Sequence, residues 1–193
     1  MADLAGKIIR SVARVPGRLL TKTKITPNQV TLLGFLVNCL VAFFIAKGSF
    51  NYFVLGLLIW AAGFFDALDG SVARASGKVT VFGNFWDSVL DRYSDSVIYF
   101  GILVHFLYLG RPEYVILVTA AIVGSLVVSY SRAKAESLGQ GCEVGALPRT
   151  VRIIILGAGF CAGQIFFSLA VIAVLSHFTV LQRVLYVYRK LGK

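Results

Sequence analysis

Charged residues are scarce in this 193-residue chain: Asp, Glu, Lys and Arg together make up 15%, against roughly 25% in a soluble domain. Negative charge is the scarcer sign, with 9 Asp and Glu against 19 Lys and Arg. Cysteine stops at three, Cys39, Cys142 and Cys161, an odd count whose spacings suit neither a metal site nor a disulfide framework. They are read as free thiols. The opening MADLAGKIIRSVARVPGRLL lacks the long apolar core and small-residue cleavage site of a signal peptide. Internal repeats and low-complexity tracts are missing as well.

What is abundant is apolar. Hydrophobic residues at 58% and a mean hydropathy of +0.81 exclude a water-soluble globule. They fall in continuous blocks of about 20 residues, the length at which a helix crosses a hydrocarbon core of roughly 30 Å. The alternation that marks an outer-membrane barrel is absent. The expected fold class is therefore all-α, a polytopic integral membrane protein with six transmembrane helices near residues 28–47, 51–74, 84–109, 113–136, 149–163 and 165–188. The fifth, about 15 residues or roughly 22 Å long, needs polar ends or local thinning to span. Within residues 1–24, Lys7, Arg10, Arg14 and Arg18 stand three or four apart with apolar residues between them. That pattern predicts an N-terminal amphipathic helix lying on an anionic leaflet. Residues 25–193 complete a single domain, 1–193, with Thr26-Pro27-Asn28 reading as a helix start.

A net charge of +10 would point to nucleic acid in a soluble protein. Here orientation signals and anionic headgroups account for it, so membrane lipids rather than nucleic acid are the expected partners. An even number of spans puts both termini on one side, and every basic residue except Lys47, Arg92 and Arg111 falls there. By the positive-inside rule that face is cytoplasmic.

More than half of the nine acids lie in one hairpin: Asp66, Asp69, Asp87, Asp91 and Asp95. Acids inside a membrane are costly and are functional candidates by default. Asp66 and Asp69 are spaced i, i+3, and Asp87 and Asp91 i, i+4, so each pair shares a helical face, and the short connection from Gly70 to Gly83 can bring the faces together. Four converging carboxylates repel unless cations bind them. Hard oxygen donors favour magnesium, manganese or calcium over zinc. Gly70, Ala73, Gly77 and Gly83 permit close approach of a ligand to the backbone, while Arg74 and Lys78 suit phosphate. The residues alone leave structural ion pairs with Arg74 and Arg92, or a cation transporter, open as alternatives.

The run Asp66-Ala-Leu-Asp69-Gly70-Ser-Val-Ala73-Arg74, followed at fixed spacing by Gly83, Asp87 and Asp91, resembles the complete signature of the CDP-alcohol phosphotransferase (CDP-alcohol phosphatidyltransferase) family. Pro27, Asn28 and Thr31 are similar to the family's first-helix start. The resemblance implies an enzyme of membrane phospholipid biosynthesis in which Asp66, Asp69, Asp87 and Asp91 hold two divalent cations, magnesium first and manganese second. It implies Asp91 as catalytic base. It also implies a site for CDP-diacylglycerol or CDP-archaeol formed by Pro27, Asn28, Thr31, Asp69, Gly70, Ala73, Arg74 and Gly83, with release of CMP, in a homodimer of the cell membrane.

The acceptor is expected at a second basic cluster: Arg132 and Lys134 near the end of the fourth helix, Arg149 and Arg152 opening the fifth, and Arg183 near the end of the sixth. Cations from three helices beside a metal site fit a phosphorylated acceptor better than a neutral alcohol. These segments are most similar to phosphatidylinositol-phosphate synthases, which implies inositol phosphate as acceptor. Glycerol 3-phosphate is the alternative. His105, about 21 Å along the helix from Asp91, is expected outside the site, and His177 is expected to serve packing or an interhelical hydrogen bond. Gly159 and Gly163 suit either dimerisation or close packing within the chain.

Overall fold

The computed structural model describes the backbone of residues 26–76 and 80–192, and side chains of 26–65 and 80–192. Six helices make up the described chain: α1 (Pro27–Lys47), α2 (Tyr52–Ser76), α3 (Val81–Tyr108), α4 (Pro112–Ser137), α5 (Arg149–Cys161) and α6 (Ile165–Leu191). The fold class is all-α, as the apolar blocks predict. The amphipathic helix expected over residues 1–24 lies outside the described residues.

Local chemistry sets the helix ends. Thr26 caps α1 in a reciprocal box: its Oγ1 accepts from Gln29 N at 3.4 Å, and Gln29 Oε1 accepts from Thr26 N at 2.9 Å. Pro27 occupies the first turn, where its missing N–H costs nothing. α3 begins three residues before the expected position, because Thr80 Oγ1 accepts from Gly83 N at 2.9 Å and so recruits Val81 and Phe82 into the first turn. α5 stops at Cys161 rather than 163. Gly163 adopts φ 66°, and Gln164 N closes back on the Gly159 carbonyl at 2.7 Å.

Among the described residues, the principal helix contacts form a closed ring in the order α1, α3, α4, α6, α5, α2. Ile45, Leu55, Ile102, Val118, Phe160, Leu169 and Ile172 fill the centre. Leu36, Phe43, Phe100, Ile116, Phe167 and Val174 face outward, an exterior suited to lipid. Gly101 lets α3 approach α1 closely, since a Cβ there would stand 2.5 Å from the Ala42 carbonyl oxygen. Gly159 serves close packing within the chain, its Cα lying against the Ser168 side chain of α6.

Among the described residues, α1, α4 and α6 are long and apolar enough to cross a membrane, with mean hydropathies of 2.0 to 2.2. Within α2, the stretch with described side chains, Tyr52–Phe65, is apolar. Asp87, Asp91, Arg92 and Asp95 interrupt α3, and the 13 residues of α5 reach only about 20 Å. The helix interrupted by acids is thus α3, and the short one is α5, which supplies Arg149 and Arg152.

Candidate active site

Asp87, Asp91 and Asp95 form one row along α3, each a single turn from the next. α5 faces this row with its first turn. That turn is built from outside itself: the connection from α4 is pinned by α6, where Gln182 Oε1 accepts from Ala146 N at 3.1 Å and Thr179 Oγ1 accepts from Leu147 N at 3.1 Å. Pro148 then ends the connection in extended conformation (φ −66°, ψ 161°), and Arg149 opens the helix.

Cations at a helix N-terminus oppose the macrodipole, by about 0.3–1 kcal/mol at exposed positions. No acid in the first turn of α5 offsets them. The compensation comes from α3. Arg149 Nη1 donates to Asp91 Oδ1 at 2.7 Å and its Nε to Asp95 Oδ1 at 2.8 Å, while Arg152 Nη2 donates to Asp95 Oδ2 at 2.9 Å. One carboxylate therefore joins two guanidinium groups, and one guanidinium joins two carboxylates. Burial deepens along this chain: the side chains of Asp91 and Arg149 are 26% and 25% exposed, Asp95 12% and Arg152 3%. Arg152 Nη1 also donates to the Leu147 carbonyl at 3.3 Å. Its Nε is buried with no hydrogen-bond partner among the described residues. Behind the ion chain lies a cavity bordered by Asn38, Gly63, Ser94, Asp95, Tyr99 and Arg152.

The other expected acceptor residues are placed differently. Arg183 is buried on α6, its Nε donating to the Val144 carbonyl at 2.9 Å and its Nη1 to the Val128 carbonyl, so it braces the α4–α5 connection against α4. Arg132 is exposed and donates from Nε to Glu136 Oε1 at 2.7 Å, one turn on. Lys134 is exposed.

On the donor side, the N-termini of α1 and α3 meet. Asn28 Oδ1 lies 3.1 Å from where a Cβ on Gly83 would stand. Thr31 is buried and donates to the Pro27 carbonyl at 3.1 Å. Asp87 is half-buried. The side chains of Asp66, Asp69 and Arg74, and the surroundings of Gly70 and Ala73, lie outside the described residues. Arg92 turns back onto the Ser88 carbonyl of its own helix. His105 sits at the far end of α3, its Nε2 3.2 Å from the Tyr52 hydroxyl. His177 Nδ1 lies 2.9 Å from the Ala173 carbonyl, a bond within its own helix rather than between helices.

Asp95, which in the sequence is one of the hairpin acids with no assigned role, is the carboxylate that joins Arg149 to Arg152. The usable signal is its spacing, since it extends the Asp87, Asp91 row by one more turn.

A sequence model of the CDP-alcohol phosphatidyltransferase family matches residues 24–182. The archaetidylinositol phosphate synthase of Methanothermobacter thermautotrophicus is 42% identical over 171 residues, covering 85% of this chain and 84% of that protein. Two crystal structures of the phosphatidylinositol phosphate synthase of Mycobacterium tuberculosis share the fold at 30% identity. The one with CDP-DAG bound has a TM-score of 0.81 and covers 92% of this chain and 94% of its own. The one in complex with manganese and citrate has a TM-score of 0.82 and covers 91% and 88%.

Proposed function

The chain belongs to the CDP-alcohol phosphatidyltransferase family, and from that premise we propose that it moves the phosphatidyl or archaetidyl group of a CDP-linked lipid onto a hydroxyl of inositol phosphate, releasing CMP. The observation that carries this reading is the contact of Arg149 with Asp91 at 2.7 Å, which sets a phosphate-binding cation against the last carboxylate of the signature. Relatives named for the synthesis of archaetidylinositol phosphate and phosphatidylinositol phosphate support the choice of acceptor.

Asp66, Asp69, Asp87 and Asp91 are the metal-binding set. Asp87 and Asp91 stand one turn apart with partly buried carboxylates, a hard-oxygen donor pair that fits magnesium, with manganese as the substitute. Two such cations, when bound, neutralise the donor diphosphate. Pro27, Asn28 and Thr31 at the start of α1, with Gly70, Ala73, Arg74 and Gly83, accommodate the cytidine and diphosphate, and Asp69 serves both groups. Asp91 takes the proton of the attacking hydroxyl. The freed oxygen bonds to the phosphorus that bears the lipid alcohol, the bond from that phosphorus to the CMP oxygen breaks, and CMP leaves. The acceptor phosphate is held at the basic cluster of Arg132, Lys134, Arg149 and Arg183, with Arg152 at its floor; arginine's planar fork suits phosphate better than a point charge does.

The same reading makes residues 1–193 one membrane domain, with residues 1–24 on the leaflet surface and six spans in a homodimer of the cell membrane. Both termini and the active site face the cytoplasm, which the one-sided distribution of Lys and Arg supports. The test is CMP release by the purified protein with magnesium and CDP-diacylglycerol, offering inositol 1-phosphate, glycerol 3-phosphate or free inositol. Release with inositol 1-phosphate alone is expected. Release with glycerol 3-phosphate alone would keep the carboxylate chemistry and replace the acceptor. Silence with all three would call for CDP-archaeol as donor.

A further inference from the structure

Asp95 stands outside the eight-position signature and yet links it to the basic cluster. Its two oxygens serve different cations, Oδ1 accepting from Arg149 Nε at 2.8 Å and Oδ2 from Arg152 Nη2 at 2.9 Å. Arg149 is thereby gripped on two sides, with Asp95 on its Nε edge and Asp91 on Nη1 at 2.7 Å. A planar guanidinium fixed by two carboxylates one helical turn apart has little freedom to rotate. With the Asp95 bond removed, the α5 N-terminus would repel Arg149 and its Nε edge would lose the carboxylate that holds it. Arg152, with 3% of its side chain exposed and a second bond to the Leu147 carbonyl, is too deep to follow a ligand. Its geometry makes it the anchor on the far oxygen of Asp95.

We propose that Asp95 is a positioning residue for acceptor binding, which holds Arg149 against Asp91 so that the acceptor phosphate is bound beside the group that takes the hydroxyl proton. Arg152 acts through Asp95 and not on the ligand. This rests on the acceptor-phosphate reading above, and the two are separated by the order of the measurements.

The experiment is steady-state kinetics of the full chain in detergent, with magnesium, CDP-diacylglycerol and inositol 1-phosphate, comparing the wild type with Asp95→Asn, Asp95→Glu and the double variant D95N/R152M. The double variant removes one charge of each sign and so carries the test if Asp95→Asn alone does not fold. Expected for the asparagine variants is a rise in acceptor KM of about tenfold or more with donor KM unchanged within about twofold, the signature of lost acceptor binding. Asp95→Glu, which keeps the charge, recovers acceptor KM at least in part. An acceptor KM within about twofold of wild type in D95N/R152M, or an equal rise in both KM values, overturns the proposal. If the wild type uses glycerol 3-phosphate instead, the same split is expected with that acceptor, because the phosphate is the shared group. A wild type that accepts only free inositol refutes the acceptor-phosphate reading before any variant is made, and the proposal with it.

Discussion

Replacing Arg152 with methionine removes a guanidinium that is 3% exposed and donates to Asp95 Oδ2 at 2.9 Å and to the Leu147 carbonyl at 3.3 Å. The methionine keeps the bulk of the side chain, so the effect is electrostatic rather than a cavity. Breaking a buried pair by removing one partner costs about 3–5 kcal/mol, chiefly because the remaining charge is left under-compensated. Here the figure belongs near the lower end, since Asp95 retains Arg149 on its other oxygen. For a chain of this size, with a Tm shift of about 2–4 °C per kcal/mol, Arg152→Met is expected to lower Tm by roughly 6–12 °C. Asp95→Asn does the reverse, leaving two cations facing a neutral amide, and is expected to cost at least as much. The double variant restores the balance, and its cost is expected to fall short of the sum of the singles by about 2 kcal/mol or more, a coupling far above the ~0.5 kcal/mol seen for independent sites. The assay is a double-mutant cycle of unfolding free energies in one detergent. Additive costs would refute the view that Asp95 and Arg152 form an energetic unit.

Three further outcomes follow from the same geometry. Asp91→Asn is expected to reduce kcat for CMP release by about 10²–10⁴-fold, the range for loss of a general base, and a kcat near that of wild type would remove Asp91 from that role. Chelation with EDTA is expected to abolish turnover, with magnesium or manganese restoring it; activity that persists under chelation would reject the carboxylate donor set. His105→Phe removes a 3.2 Å contact with Tyr52 at the far end of α3, so a stability loss of about 0.5–1.5 kcal/mol with both KM values unchanged is expected, and altered kinetics would contradict the placement of the site.

How much of this could be read from the residues varies with the distance in sequence over which the partners lie. Helix existence is local: apolar blocks and the Thr26-Pro27-Asn28 start place all six helices to within three residues of the observed boundaries. The family signature is local as well, contained between Asp66 and Asp91. The ring order α1, α3, α4, α6, α5, α2 is not, because apolar faces carry no record of which neighbour they meet. Asp95 shows the same limit. Its spacing from Asp91 marks it as part of the row, but its partners Arg149 and Arg152 lie 54 and 57 residues away. The basic cluster is legible as composition and not as geometry. Arg132, Arg149, Arg152 and Arg183 look equivalent along the chain, yet Arg132 meets an exposed glutamate, Arg149 two carboxylates of α3, Arg152 one carboxylate and a backbone carbonyl, and Arg183 two backbone carbonyls. A helix start of the form Pro-Arg-x-x-Arg, with no acid of its own to offset the macrodipole, is the physical cue that these arginines need carboxylates from another helix.

On the proposed function, a phosphate on the acceptor is read by arginine beside Asp91, within an enzyme that makes an inositol phospholipid. The most direct measurement is the mass of the lipid product formed when the purified protein, magnesium and CDP-diacylglycerol meet inositol 1-phosphate and glycerol 3-phosphate together at equal concentration. Phosphatidylinositol phosphate as the dominant product is the result expected. Phosphatidylglycerol phosphate as the dominant product would contradict it.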